Sequence, residues 1–171
     1  LREEDLLAFE TWNDAWGNAR AREGWIAKAR QFGVGEAGFV AIEAELGGSY
    51  QPRDVFRAAA NRAVLEMIRR KDWASLAAAY STLALEEYRE ANVDQAPEQV
   101  VTLLRESAKA ELRSYLASGI RRAEISPCAC AVCSRSPKRP VPIGEELETP
   151  HIPHANCREG YCSCDYQPVV E

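Results

Sequence analysis

Cys128-Ala129-Cys130-Ala131-Val132-Cys133 is answered 23 residues later by Cys157-Arg158-Glu159-Gly160-Tyr161-Cys162-Ser163-Cys164. These two stretches hold all six cysteines of the 171-residue chain. Cys130 and Cys133 form a C-x-x-C pair. Two thiolates at that spacing reach one tetrahedral ion from a tight turn, while backbone N–H groups of the turn donate to the sulfurs. Ala131, Val132 and Ser134 are small enough to allow such a turn. The second pair comes from the far stretch, Cys157 with Cys162 or Cys164, and Gly160 between them frees the chain for a second turn. Six cysteines gathered at one end, with no secretory signal in view, favour metal in a reducing compartment over a disulfide framework. Four thiolates close the coordination sphere, so the expected ion is a structural zinc.

The preferred four ligands are Cys130, Cys133, Cys157 and Cys162, with Cys164 a close substitute. Cys128, His151 and His154 stand in reserve, the histidines as an H-x-x-H pair in Pro150-His151-Ile152-Pro153-His154. An iron–sulfur cluster uses the same thiolates. Disulfides, idle thiols and a redox C-x-x-C are the competing readings, and the last lacks the βαβ setting such a motif normally has. The simpler reading of the two histidines is as exposed loop residues between prolines.

Around the cysteines the chain is rich in proline: Pro127, Pro137, Pro140, Pro142, Pro150, Pro153 and Pro168 are seven of its nine. They argue against a regular helix beyond Ser126. Just before them, Ile120-Arg121-Arg122-Ala123-Glu124-Ile125 alternates as a short strand does. A tail of about 50 residues is near the size at which a metal or disulfides are usually needed for folding.

Upstream, the apolar residues recur at helical spacing. Leu6, Leu7, Phe9, Trp12 and Trp16 form one stripe, weakened at Gly17 and Gly24 and continued by Trp25, Ile26, Ala29 and Phe32 up to Gly33 and Gly35. A second helix is expected over 36–46, with Phe39, Val40 and Ile42 as contacts and Gly47-Gly48-Ser49 as its end. A third follows Pro52 to about Arg70, turning Val55, Phe56, Ala59, Ala63 and Met67 inward, with Leu65 and Ile68 as further contacts. Asp72 caps a fourth, whose stripe is Trp73, Leu76, Ala77, Tyr80, Leu83, Ala84 and Tyr88, and Asn92 closes it. Pro97 opens a fifth, carrying Val100, Val101, Leu104, Ala108, Leu112, Tyr115 and Leu116 up to Gly119. The fold expected is mainly α: about five bundled helices over 1–119, then a Cys-rich module with little regular structure over 120–171.

The outline C-x2-C…C-x4-C-x-C resembles the broad zinc-ribbon and treble-clef class, over the last 45 residues or so. Pro153-His154-Ala155-Asn156-Cys157 resembles the C-terminal ending of phage head-morphogenesis proteins, with the final Cys-x-Cys displaced to Cys162 and Cys164. That resemblance implies a structural role in a phage head. The segment 57–91 resembles one tetratricopeptide-like hairpin, but lacks its Trp–Leu–Gly–Tyr run and has no second copy.

A net charge of −5 and a pI of about 5.3 exclude nucleic-acid binding driven by total charge. Locally, Arg121, Arg122, Arg135, Lys138 and Arg139 flank the Cys130/Cys133 turn and could contact phosphates or an acidic partner, though Glu145-Glu146-Leu147-Glu148 follows closely. Glu86-Glu87 and Glu145-Glu146 read as solvated pairs, and the tryptophans read as core residues. Neither a P-loop, a dinucleotide fingerprint nor a nucleophile elbow is present. No apolar run nears membrane-span length, and the acidic start Leu1-Arg2-Glu3-Glu4-Asp5 is unlike a signal peptide, so a cytoplasmic protein is expected. The Ala-, Arg- and Glu-rich composition is that of GC-rich bacterial coding sequence. Together these features predict a non-catalytic zinc-binding adaptor or regulatory module with a protein or nucleic-acid partner and no small-molecule substrate. The alternatives are a metal-dependent enzyme or nuclease-associated subunit with a Cys/His zinc site, and the phage-head role above.

Overall fold

The computed structural model describes residues 19–47, 50–137, 139–154 and 156–170. The expected stripe Leu6, Leu7, Phe9, Trp12 and Trp16, and Lys138 of the basic set, lie outside the described residues. The protein is mainly helical, with a small strand-containing Cys-rich region at its C-terminal end. The helices are α1 (19–30), α2 (Glu36–Leu46), α3 (Pro52–Arg70), α4 (Trp73–Ala91), α5 (Glu98–Ala117) and α6 (Ile143–Glu148). The strands are β1 (Arg122–Ser126), β2 (Val141–Pro142) and β3 (Asp165–Val169). No helix among the described residues is long and apolar enough to cross a membrane.

The chain divides into two compact units, Leu1–Glu66 and Met67–Glu171, so the compositional change at 119/120 falls inside the second. In the first unit Ile26, Ala29, Phe32, Phe39, Ile42, Val55, Phe56, Ala59, Ala60 and Val64 are buried. The Phe56 ring meets Phe32 edge-on at 5.6 Å and Trp25 at 5.1 Å. Arg22 grips Glu43 through two nitrogens, at 3.2 and 2.7 Å. Three expected contacts are corrected: Val40, Leu65 and Ile68 are exposed. Helical spacing alone cannot say how wide the buried stripe is, and here it is narrower than the apolar sequence.

In the second unit Asp72 accepts a hydrogen bond from the Ser75 N–H at 3.2 Å, the N-cap that starts α4, and Asn92 ends that helix in the left-handed region at φ 47°. Ser107 donates to the Ala77 carbonyl at 2.8 Å, and the Arg113 guanidinium lies 5.4 Å from the Trp73 ring centre. Contacts that pair the start of α4 with the later part of α5 make the two helices antiparallel. Gly119, at φ 85°, turns the chain out of α5 and into the sheet. The sheet has the order β2-β1-β3, antiparallel throughout, with Ala123 opposite Val141 and Pro168. Ala123 and Ile125 point inward, as the alternation predicted, and join Leu112 of α5, Ile143, Ile152 and Tyr166 in a core. The proline-rich stretch thus carries more regular structure than its composition suggests. Pro142 precedes α6 and Pro168 sits on an edge strand, positions where a missing N–H costs little.

Candidate metal centre

The six thiols converge beside Leu104 of α5. Cys128, Cys130 and Cys133 reach the cluster from the segment after β1, the last at the start of a short 3-10 turn, Cys133–Arg135. Cys157, Cys162 and Cys164 reach it from the loop before β3. Cys130, Cys133, Cys157 and Cys162 are buried, while Cys128 and Cys164 are half-buried, and none is in a disulfide. Cys133 Sγ lies 3.6 Å from Cys157 Sγ and 4.0 Å from Cys162 Sγ, and Cys128 Sγ lies 3.8 Å from Cys157 Sγ. A tetrahedral zinc with bonds of about 2.3 Å separates its sulfurs by about 3.8 Å. These three sulfur pairs therefore stand near the spacing that such an ion sets.

Backbone donors are already aimed at the sulfurs. The N–H groups of Val132 and Arg158 point at Cys130 Sγ at 3.4 and 3.2 Å. Those of Cys128 and His154 point at Cys164 and Cys162, at 3.3 and 3.4 Å. Backbone N–H groups hold the Cys130 thiol down from its ordinary 9.0 to about 6. Burial pushes Cys157 up to about 11 and Cys164 up to about 12, and drives Cys133 up as well. Sulfurs this close cannot all carry charge without a cation among them, and a dication removes that conflict. Two trios lie close enough to share an ion, Cys128/Cys133/Cys164 and Cys130/Cys133/Cys157.

The loop that brings in the second stretch is tied to the connection between α4 and α5 and to the last turn of α4. Ala96 N–H donates to the Gly160 carbonyl at 2.9 Å, Gln95 donates to the Cys157 carbonyl at 3.1 Å, and the Tyr161 ring lies 5.4 Å from that of Tyr88. Gly160 adopts φ 75°, the turn its position between Cys157 and Cys162 implied.

The histidines are engaged elsewhere. His151 Nδ1 pairs with Glu146 Oε1 at 2.6 Å, and His154 Nε2 meets Ser136 Oγ at 2.9 Å. Among the described residues, the trios that could hold an ion contain cysteines alone. Glu146 is a correction to the sequence reading, since it is only 1% exposed rather than solvated. Its carboxylate accepts the Tyr166 hydroxyl at 2.5 Å and the His151 N–H at 3.0 Å. The only sequence signal was its place in a short helix one residue beyond Glu145, and nothing local marks which of the two turns inward. Tyr166→Phe leaves this buried carboxylate short of a donor. It is expected to cost about 1–3 kcal/mol in a denaturant titration; an unchanged midpoint would mean that the bond carries no net stability.

A cleft of about 370 Å³ opens beside the thiols, lined in part by Ser81, Ser107, Glu111, Tyr161 and Asp165. Tyr115 directs its hydroxyl toward both Glu111 Oε1 and the Tyr166 carbonyl, each at 2.9 Å. Burial raises the Glu111 carboxyl above its ordinary 4.5, against the hydrogen bond from Tyr115. An acid raised on folding adds stability below its unfolded pKa and loses it as pH rises through the folded value. Glu111→Gln should therefore stabilise the protein at pH 7, with the gain fading toward about pH 4. Melting the two proteins at both pH values tests this; equal midpoints at pH 7 would refute it.

Arg121, Arg122, Arg135 and Arg139 are all exposed, and Arg122 donates to the Pro140 carbonyl at 3.0 Å. No protein-family model matches the chain, and no curated protein or solved structure does so either.

Proposed function

We propose that this chain is a non-catalytic, zinc-binding adaptor or regulatory module, working in a reducing compartment such as the cytoplasm. The observation that carries the reading is the buried thiol cluster, with sulfurs at zinc-like spacing and backbone N–H groups aimed at three of them. Softness of the ligands favours zinc over magnesium or calcium. Cys130, Cys133, Cys157 and Cys162 would hold the ion, which supplies the cohesion that a small core built on Ala123, Ile125 and Tyr166 lacks. A hydrolytic zinc needs an open position for water, usually beside histidine ligands. Both ring systems here are bonded to Glu146 and Ser136 instead.

The partner would be a protein or a nucleic acid. The exposed arginines at 121, 122, 135 and 139, together with Lys138, offer it a basic contact, and the cleft beside α4 and α5 offers a groove. Elemental analysis of the purified chain tests the metal: zinc is expected, and Cys157→Ser or Cys162→Ser should lower the zinc content while His151→Ala and His154→Ala leave it unchanged. Loss of zinc in the histidine variants would overturn the structural role. Replacing the five basic residues with Ala should abolish salt-dependent binding to nucleic acid; binding that persists unchanged would sink the basic contact.

A further inference from the structure

The ion count of the cluster follows from the position of one sulfur. Cys133 is fully buried and shares one trio with Cys128 and Cys164 and the other with Cys130 and Cys157. Cys162, outside both trios, lies 4.0 Å from it. Cys133 therefore neighbours every other thiol of the module. In a single tetrahedron of sulfurs each corner has only three neighbours, and the remaining two thiols would have to stand apart. Where two tetrahedra meet along an edge, a sulfur on that edge neighbours all five others. Cys157 meets the same requirement in part, lying 3.6 Å from Cys133 and 3.8 Å from Cys128, so it touches members of both trios.

We infer that the six cysteines hold two zinc ions, not one, with Cys133 and Cys157 bridging them. Cys130 and Cys162 complete one tetrahedron, and Cys128 and Cys164 complete the other. Two dications against six thiolates leave a charge of −2, the same as one zinc with four thiolates and two neutral thiols. The second ion thus adds no net charge to a buried site. The Cys128 N–H, aimed at Cys164 Sγ at 3.3 Å, gives the outer pair the kind of donor that the Val132 N–H gives Cys130. A thiolate uses such a donor well, and a neutral thiol accepts it only weakly. This inference rests on the zinc reading above and adds the second ion and the shared sulfurs.

Native mass spectrometry of the purified full chain, with metal measured independently by elemental analysis, tests it. Two zinc ions per chain are expected, with all six cysteines protected from iodoacetamide. One zinc per chain, with Cys128 and Cys164 alkylated on folded protein, would overturn the paired site and leave the single structural zinc standing. Metal-free chain with reactive or disulfide-paired thiols would overturn both readings, as would a mass matching iron with sulfide. Cadmium-113 exchanged into the site should give two resonances coupled through the shared sulfurs; a single resonance or two uncoupled ones would refute the bridge. Cys164→Ser, which spares the other tetrahedron, should lower the metal-to-chain ratio from two toward one, and an unchanged ratio of two would remove Cys164 from the site.

Discussion

With zinc bound as proposed, stripping it with a strong chelator is expected to unfold the Cys-rich module while α4 and α5 keep much of their helix. The reason is the shortage of apolar material downstream of α5. Ala123, Ile125, Val141, Ile143, Ile152 and Tyr166 are its main buried residues besides the cysteines, and several of them lean on Leu112 of α5. Structural zinc contributes roughly 10–16 kcal/mol of apparent binding free energy in comparable small modules at neutral pH. That is as large as the whole stability of a typical domain, about 5–15 kcal/mol. Without the ion, thiols crowded together at 3.6–4.0 Å would also have to stay neutral or separate. Hydrogen exchange should therefore show protection lost across β1 and β3 on chelation, with amides in the middle of α5 retaining most of theirs. Restoring zinc should restore the strands. Strands that stay protected in metal-free protein would show that the sheet packs on α5 unaided. Acid should act in the same direction, because protons compete with the metal for the thiolates.

Gly160→Ala should be strongly damaging although it adds only a methyl group. The residue sits at φ 75°, and a β carbon there would run into the Asp94 carbonyl oxygen and come within 2.5 Å of the Tyr88 hydroxyl. The left-handed conformation alone costs an L-residue about 1–2 kcal/mol, and overpacking adds about 1–3 kcal/mol. The obstructing Asp94 group is backbone, so relief means moving the loop, and that loop carries Cys157 and Cys162. A loss of roughly 2–5 kcal/mol is expected by denaturant titration, together with weaker zinc retention in a competition with a chromophoric chelator. Gly144→Ala is the matching control. No atom lies within 4 Å of a β carbon there and the residue is helical, so that substitution should be neutral or stabilising by up to about 1 kcal/mol. Equal effects of the two would show that the close approach at Gly160 does not govern the loop.

Particular residues show how far the chain alone could be read. Asp72, Asn92, Gly119 and Gly160 are legible because each acts on its own backbone: a cap or a left-handed turn is chosen within a few residues. The bounds of α2, α3, α4 and α5 follow from such signals together with the apolar period. The inward face of β1 was equally local, written in the alternation of Ala123 and Ile125. Burial was less legible. Val40, Leu65 and Ile68 have the chemistry of core residues and are exposed, because the packing partners that decide burial lie far away in sequence. Glu146 is the reverse case: a carboxylate is buried where Tyr166, 20 residues on, and His151 supply its hydrogen bonds.

The thiol cluster divides along the same line. Residue spacing by itself placed Cys130 and Cys133 in one turn and Cys157 and Cys162 on either side of the Gly160 turn, since a C-x-x-C turn and a glycine turn are local geometries. It also determined a mainly helical chain ending in a Cys-rich module. Which sulfurs meet across the 23 residues between the two stretches was decided only in three dimensions. The antiparallel pairing of β1 with β3 and the anchoring of the Gly160 loop to the Asp94–Ala96 backbone bring the two stretches together. They leave Cys133 at the centre and make Cys164, the expected substitute ligand, and Cys128, the reserve, its neighbours. Spacing along a chain limits which ligands can share a turn, but the distance between two turns is set by the fold that carries them.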